Sequence, residues 1–165
     1  MLPHIDDCYR LARWLTGDAA DAEDVVQEAC LQAFRGISGF NGSNARAWML
    51  TILRHAAYRW LRKNRPAALI AVDDVDALAG RQGNGAAGPG VETPEAVLIA
   101  KSDAARLEAA IAGLPVAFRE TLVLRDVQGL NYRDIAEVTG VPIGTVMSRL
   151  ARARRHLIAT IGTNE

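Results

Sequence analysis

The stretch LNYRDIAEVTGVPIGTVMSRLARARRHL, residues 130–157, carries the sharpest structural signal in this chain. Asn131 is a favourable helix N-cap, and Asp134 stands three residues later, where a capping-box partner reaches back. The short helix this starts runs out at Gly140, a residue that adopts a left-handed turn without steric cost. Ala136 is small enough for another helix to cross closely, Val141 can plug the gap between the two, and Pro142 suits the first turn of a second helix. A short helix, a glycine turn and a second helix predict a helix-turn-helix. On the second helix Val146, Leu150, Ala153 and Leu157 share one stripe, which predicts a core-facing side. Thr145, Ser148, Arg149 and Arg152 share another stripe that points away. Hydroxyls and guanidinium groups bond phosphates or base edges, and arginine matches guanine with two hydrogen bonds, so this outward stripe suits the major groove of DNA. A solvated C-terminal helix whose arginines merely offset the helix dipole would not require the Ala136, Gly140 and Val141 arrangement ahead of it.

Toward the N-terminus the same periodicities predict helices almost throughout. The run LPVAFRETLVLRDVQGL (114–130) restarts at Pro115 and stops near Gly129. Before it, Thr93 is a good N-cap, Pro94 fits the first helical position and Glu95 favours the positive helix start. Val97, Ala100, Ala104, Leu107, Ile111 and Leu114 then recur three and four apart as one apolar face ending near Gly113. In the first half one helix covers roughly 5–16 and a second roughly 19–35 behind Asp18 as N-cap, with Ala22, Val25, Val26, Ala29, Cys30, Ala33 and Phe34 inward. A loop at 36–44 leads to a long helix from about 45 to 63. Alanine and leucine are frequent, and no segment reads as a convincing strand, so the fold class is all-α. Residues 66–92 break the rhythm with an acidic knot (Asp73, Asp74, Asp76) and a glycine-rich run (Gly83, Gly85, Gly88, Gly90). Burial of such a run gains too little to offset its ordering entropy, so it reads as a flexible linker. The 165 residues thus divide into a helical domain at 1–65, a linker at 66–92 and a helix-turn-helix domain at 93–165.

The formal net charge is zero, from 19 basic and 19 acidic residues, but the two signs are separated. Residues 1–28 hold seven acids against Arg10 and Arg13, while residues 29–72 hold no acid and seven basic residues. Alternating fields of this kind suit one polyanionic partner and one partner that is not DNA. In WMLTILRHAAYRWLRKNR (48–65), Trp48, Ile52, Ala56 and Trp60 share one stripe; Thr51, Arg54, Tyr58, Arg62 and Arg65 share another, with His55 beside them. Basic residues with an interleaved aromatic suit a strand whose bases are exposed and stacked. An ordinary charged face with Tyr58 half-buried in the core gives the same pattern. Asp21, Asp24, Gln27 and Glu28 line the outer side of the second helix. They are unsuited to DNA; they bind a basic protein surface or are simply solvated, and periodicity leaves both readings open.

Cys8 and Cys30 sit in helical patterns without CxxC or Cys/His spacing, which predicts reduced core thiols. His55 has no companion at ligand spacing, so neither metal nor cofactor is expected. No glycine loop follows a strand and no Cys-His or carboxylate constellation is visible, so the chain does not read as an enzyme. No apolar run approaches membrane-spanning length, and the acidic start MLPHIDDCYR lacks a signal-peptide core, which predicts a cytoplasmic protein.

Three stretches, DAEDVVQEACLQAFR (21–35), ARAWMLTILRHAAYRWLRK (45–63) and residues 114–157, together resemble the extracytoplasmic-function (ECF) class of bacterial sigma factors, in that family's order. The resemblance implies an initiation subunit of bacterial RNA polymerase, monomeric when free, serving a stress or envelope response and restrained by an anti-sigma factor. Its implied partners are the clamp helices and flap of core polymerase, and promoter DNA. It assigns Asp24, Gln27 and Glu28 to core-polymerase binding. Phe40, Asn41, Asn44, Arg54, His55, Tyr58 and Arg62 are then expected near the non-template strand of the minus-ten element, with His55 where the family often carries Asn. Thr145, Ser148, Arg149 and Arg152 are expected at the minus-thirty-five element. The linker is expected to thread toward the polymerase active-site cleft, with Asp73–Asp76 imitating nucleic acid. A sigma-like mimic that titrates an anti-sigma factor would have lost the DNA-facing arginines, which remain here. A stand-alone helix-turn-helix regulator leaves the acidic and basic helices of the first half without a use.

Overall fold

The computed structural model describes residues 4–69 and 94–162, the first eight of the latter as backbone only. Helix α1 (Ile5–Thr16) carries Asp6 and Asp7 in its positive first turn and stops at Gly17, whose φ of 81° lets its N–H bond the Arg13 carbonyl. Asp18 immediately caps α2 (Ala19–Gly36), its side chain accepting from the Asp21 N–H at 3.0 Å. A stop and a start so close together turn α2 back along α1. A 3-10 turn at Ile37–Gly39 leads to α3 (Ala45–Asn64). The α3 N-cap, Asn44, has φ 46°, a left-handed backbone that Asn tolerates better than most residues, and its side chain accepts from the Ala47 N–H at 3.2 Å. Leu11 and Leu15 of α1, Ala22, Val25 and Ala29 of α2, and Met49, Leu50, Leu53 and Leu61 of α3 are buried in this first domain.

The second domain comprises α4 (Pro94–Ala112), α5 (Val116–Leu122) prolonged by a π turn at Val123–Val127, α6 (Tyr132–Thr139) and α7 (Ile143–Gly162). Gly140, with φ 72°, makes the turn between α6 and α7, and its N–H bonds the Ala136 carbonyl at 2.9 Å. Helix α7 packs on α4, α5 and α6, with Val146, Leu150 and Ala153 buried and Leu157 half-buried, the inward stripe read from the sequence.

The architecture is all-α, two small helical domains, the second ending in a helix-turn-helix. Residues 70–92, which hold most of the expected linker and the Asp73–Asp76 segment, lie outside the described residues, as do Thr93 and the side chains of Val97 and Ala100. Three expectations need correction. Phe34 points outward and is 72% exposed, because α2 outlasts α1 and Ala33 takes the inward position in its last turns. Ala104 and Leu107 are also exposed; Ile111 near the C-terminal end of α4, and Leu114 just beyond it, are the positions of this face that are buried. On α3, Trp48, Ile52 and Trp60 are half-buried, while the fully buried arc runs through Met49, Leu50, Leu53, Ala57 and Leu61. That arc is shifted because α3 is packed on two sides: α1 and α2 hold one, and α6 of the second domain holds another. Helix α1 likewise meets α5, and the buried apolar side chains of both domains join in one core cluster.

Candidate nucleic-acid interfaces

The helix-turn-helix is held by its caps. Asn131 accepts from the Asp134 N–H at 2.8 Å, as the sequence predicts. The reciprocal half of the capping box is replaced: the Asp134 carboxylate accepts instead from Asn44 Nδ2 of the first domain at 2.8 Å. Asp is one methylene shorter than the Glu or Gln this motif prefers, so its carboxylate is left to other donors. Thr145, Ser148, Arg149 and Arg152 lie on the side of α7 away from the buried stripe; Ser148 is exposed and the other three are half-buried. Ser148 Oγ donates to the Thr145 carbonyl at 3.1 Å. Arg149 Nε is buried and meets no hydrogen-bond partner among the described residues. Arg154 is committed elsewhere: it bonds both oxygens of Asp126 on the π turn, at 2.7 and 3.3 Å, and the hydrogen bond raises its pKa.

The first-domain residues expected near the minus-ten strand separate into two groups. Phe40 rests against Trp48 with ring centroids 4.7 Å apart, and Asn41 ties the loop by accepting from the N–H and Oγ of Ser43 at 3.0 and 2.7 Å. His55 and Arg62 are exposed. Partial burial, then the charges of Arg54, Arg59 and Arg62, lower the His55 pKa, so at neutral pH its ring is uncharged and offers one donor and one acceptor. The remaining three residues face the second domain. Besides the Asn44–Asp134 bond, Arg54 donates through Nε and Nη2 to the two carboxylate oxygens of Glu120 at 2.8 and 3.1 Å. Tyr58 donates its hydroxyl to the same carboxylate at 2.8 Å, and the Arg54 guanidinium lies 4.2 Å from the Tyr58 ring centroid. Burial alone would lower the Arg54 pKa, but hydrogen bonding to Glu120 and its charge outweigh that and raise it. Burial, then the Glu120 charge, pushes the Tyr58 phenol up. Both groups therefore stay protonated, as donors to one carboxylate.

Glu120 is fully buried and sequence reasoning passed over it. The signal was present: it sits four residues after Val116 and four before Leu124, both buried, so an acid occupies an apolar stripe of its helix. Such a group requires a cationic partner, and nothing in the local sequence says that the partner lies 66 residues away.

Asp24, Gln27 and Glu28 are all exposed on α2. Asp24, Val25 and Glu28 face Ala56, Arg59, Trp60 and Lys63 of α3 across an open groove. One turn further along α2, Leu31 and Phe34 are 54% and 72% exposed; Leu31 belongs to neither the inward nor the acidic stripe, and Phe34 was expected inward. Acids beside exposed apolar side chains suit a protein partner better than plain solvation. Cys8 is buried and its thiol is pushed up to about 12 by burial, then by Cys30 and Asp7, which keeps it unreactive at neutral pH. No group of three or more His, Cys, Asp or Glu able to hold a metal occurs among the described residues, and no helix described is long and apolar enough to cross a membrane.

The family profile for sigma-70 region 2 matches residues 2–67, and that for sigma-70 region 4 matches residues 104–157. The chain is 32% identical over 155 residues to ECF RNA polymerase sigma factor SigE of Mycolicibacterium smegmatis, an alignment covering 93% of this chain and 57% of that protein. This chain therefore spans less than two thirds of that relative's length. It is 34% identical over 160 residues to ECF RNA polymerase sigma factor SigM of Mycobacterium tuberculosis, covering 96% of this chain and 74% of the other. Among solved structures, the sigma factor RpoE co-crystallised with the anti-sigma factor NepR from Bartonella quintana matches with a TM-score of 0.69 and 28% identity, covering 99% of this chain and 95% of that one.

Proposed function

The chain belongs to the extracytoplasmic-function group of the sigma-70 family, and on that premise we propose that it is a promoter-specific initiation subunit of bacterial RNA polymerase. The observation that carries this reading is the separation of faces in a single chain. An acidic and apolar surface on α2 suits a basic protein groove, while α7 presents hydroxyls and arginines away from its core. A stand-alone regulator would need the second surface and not the first.

On this reading Asp24, Gln27 and Glu28, together with exposed Leu31 and Phe34, engage core polymerase. Thr145, Ser148, Arg149 and Arg152 contact the minus-thirty-five element from the side of α7 that lies away from its buried stripe. Phe40, Asn41, Asn44, Arg54, His55, Tyr58 and Arg62 serve the minus-ten strand. Nucleotidyl transfer stays with the polymerase, so the chain is an initiation factor and not an enzyme, and it works in the cytoplasm. The division at 1–65, 66–92 and 93–165 gives the two promoter elements one domain each. Because the Bartonella quintana neighbour was crystallised with an anti-sigma factor, an anti-sigma partner is expected here as well. In vitro transcription with bacterial core polymerase on promoters from the source genome tests the reading. Specific transcripts should depend on this chain, and their absence across promoters upstream of its own gene would overturn it.

A further inference from the structure

The outward side of α7 holds a patch that neither its core stripe nor its arginines account for. Gly144, Met147, Ser148 and Ala151 stand three and four residues apart on one face, and all four are exposed. Met147 is 52% exposed, and Ile143, one turn before it, is 45% exposed. Exposed apolar side chains scattered singly are ordinary, but these two are neighbours at the start of the helix. Gly144 is the second observation. A Cβ placed there would meet no atom within 4 Å, so packing within the chain does not call for glycine. Glycine also weakens a helix relative to alanine. A bare position that the fold does not need fits a surface that another molecule approaches closely.

The occupant follows from charge and place. Helix α7 carries Arg149, Arg152, Arg154 and Arg155 and no acid, which suits a polyanion. A recognition helix meets base edges through its N-terminal residues, and the major groove is only about 12 Å wide. Ile158, another exposed apolar residue, lies about 16 Å further along the axis than Met147, beyond the groove. A thioether is at best a weak acceptor, so Met147 is a poor match for phosphates and for polar base edges. The apolar group that the major groove displays is the C5-methyl of thymine. We propose that Met147 reads a thymine methyl in the minus-thirty-five element, with Gly144 and Ala151 leaving room for the approach and Ser148 bonding beside it. This rests on the reading of α7 as the minus-thirty-five reader and adds an apolar contact that hydroxyls and arginines do not supply. Closing the methyl against Met147 takes two apolar surfaces out of water together.

Gel shifts with the assembled holoenzyme test this. In a promoter that the holoenzyme binds, each thymine of the upstream element is replaced in turn by deoxyuridine, which deletes the C5-methyl and keeps the pairing. The wild type should lose about threefold to tenfold in affinity at one position. Met147→Ala should bind the all-thymine promoter more weakly by a similar factor and be indifferent to deoxyuridine there. Met147→Leu keeps an apolar side chain of similar size and should retain both the affinity and the sensitivity. Gly144→Ala should leave the thermal midpoint no lower than that of the wild type and still weaken promoter binding. Deoxyuridine without effect at every position, or Met147→Ala as sensitive to it as the wild type, overturns the thymine contact. So does a Met147→Ala variant that weakens assembly with core polymerase instead, which would give the patch to a protein. Gly144→Ala binding the promoter at full strength overturns the close approach. If the wild-type holoenzyme binds no promoter specifically, the sigma-factor reading itself falls, and this contact with it.

Discussion

Helices α3 and α7 look alike in the sequence and differ in the structure. Each is about twenty residues long, apolar on one side and arginine-bearing on the other. The α7 arginine stripe stays on the outside of its domain. On α3 two members of the equivalent stripe, Arg54 and Tyr58, are half-buried and bonded to Glu120 of the second domain. A helical wheel identifies the side that is not the core of its own domain. It does not tell whether another domain covers that side.

The largest expected effects come from the buried arcs that both helices share. Leu150→Ala in α7 and Leu53→Ala in α3 each remove a side chain with almost no exposure, and each should destabilise the chain by about 2–5 kcal/mol through a cavity, read in thermal melts. If Leu150→Ala leaves the melt unchanged while abolishing sequence preference, the inward and outward faces of α7 have been exchanged.

Next in size is the contrast between the acidic and basic surfaces. Asp24→Arg with Glu28→Arg reverses charge at two exposed positions, so folding should be little changed while assembly with core polymerase weakens by tenfold or more, about 1.4 kcal/mol at least. Normal assembly and transcription by this double variant would make the acidic face ordinary solvated surface.

Arg149→Ala sharpens the account of α7. As a base reader Arg149 should carry about 1–3 kcal/mol of discrimination at one upstream promoter position, seen as relaxed preference there in a promoter-library selection. As a phosphate contact, its loss would weaken all sequences evenly and lower the salt slope by about one. The smallest effect belongs to Arg154, whose pair with Asp126 is about half exposed on both sides. Arg154→Ala should change stability by no more than about 1 kcal/mol.

Helix positions and their ends were legible because caps and periodicity are local. Asp18, Gly17, Asn131 and Gly140 act within a few residues of themselves, and the helices they bound fall where the sequence puts them. What was not legible depends on neighbours distant in the chain. Phe34 reads as inward on its helix, but α1 is too short to cover it. Asp134 reads as a capping-box partner, yet its carboxylate turns to Asn44, ninety positions away. Arg54 and Tyr58 read as free for nucleic acid because the group that holds them, Glu120, is hidden in an apolar run of another domain. The residues of that contact were visible in the sequence, whereas their pairing was not.

The most direct test of the account is a gel shift of promoter duplex at physiological salt, with the isolated chain and with the chain bound to core polymerase. The account predicts weak binding by the free chain, since Asn44, Arg54 and Tyr58 are hydrogen-bonded to the second domain and α7 alone supplies few phosphate contacts, and tight, sequence-specific binding by the assembled holoenzyme. Nanomolar, sequence-specific binding by the free chain, unchanged when core polymerase is added, would contradict it.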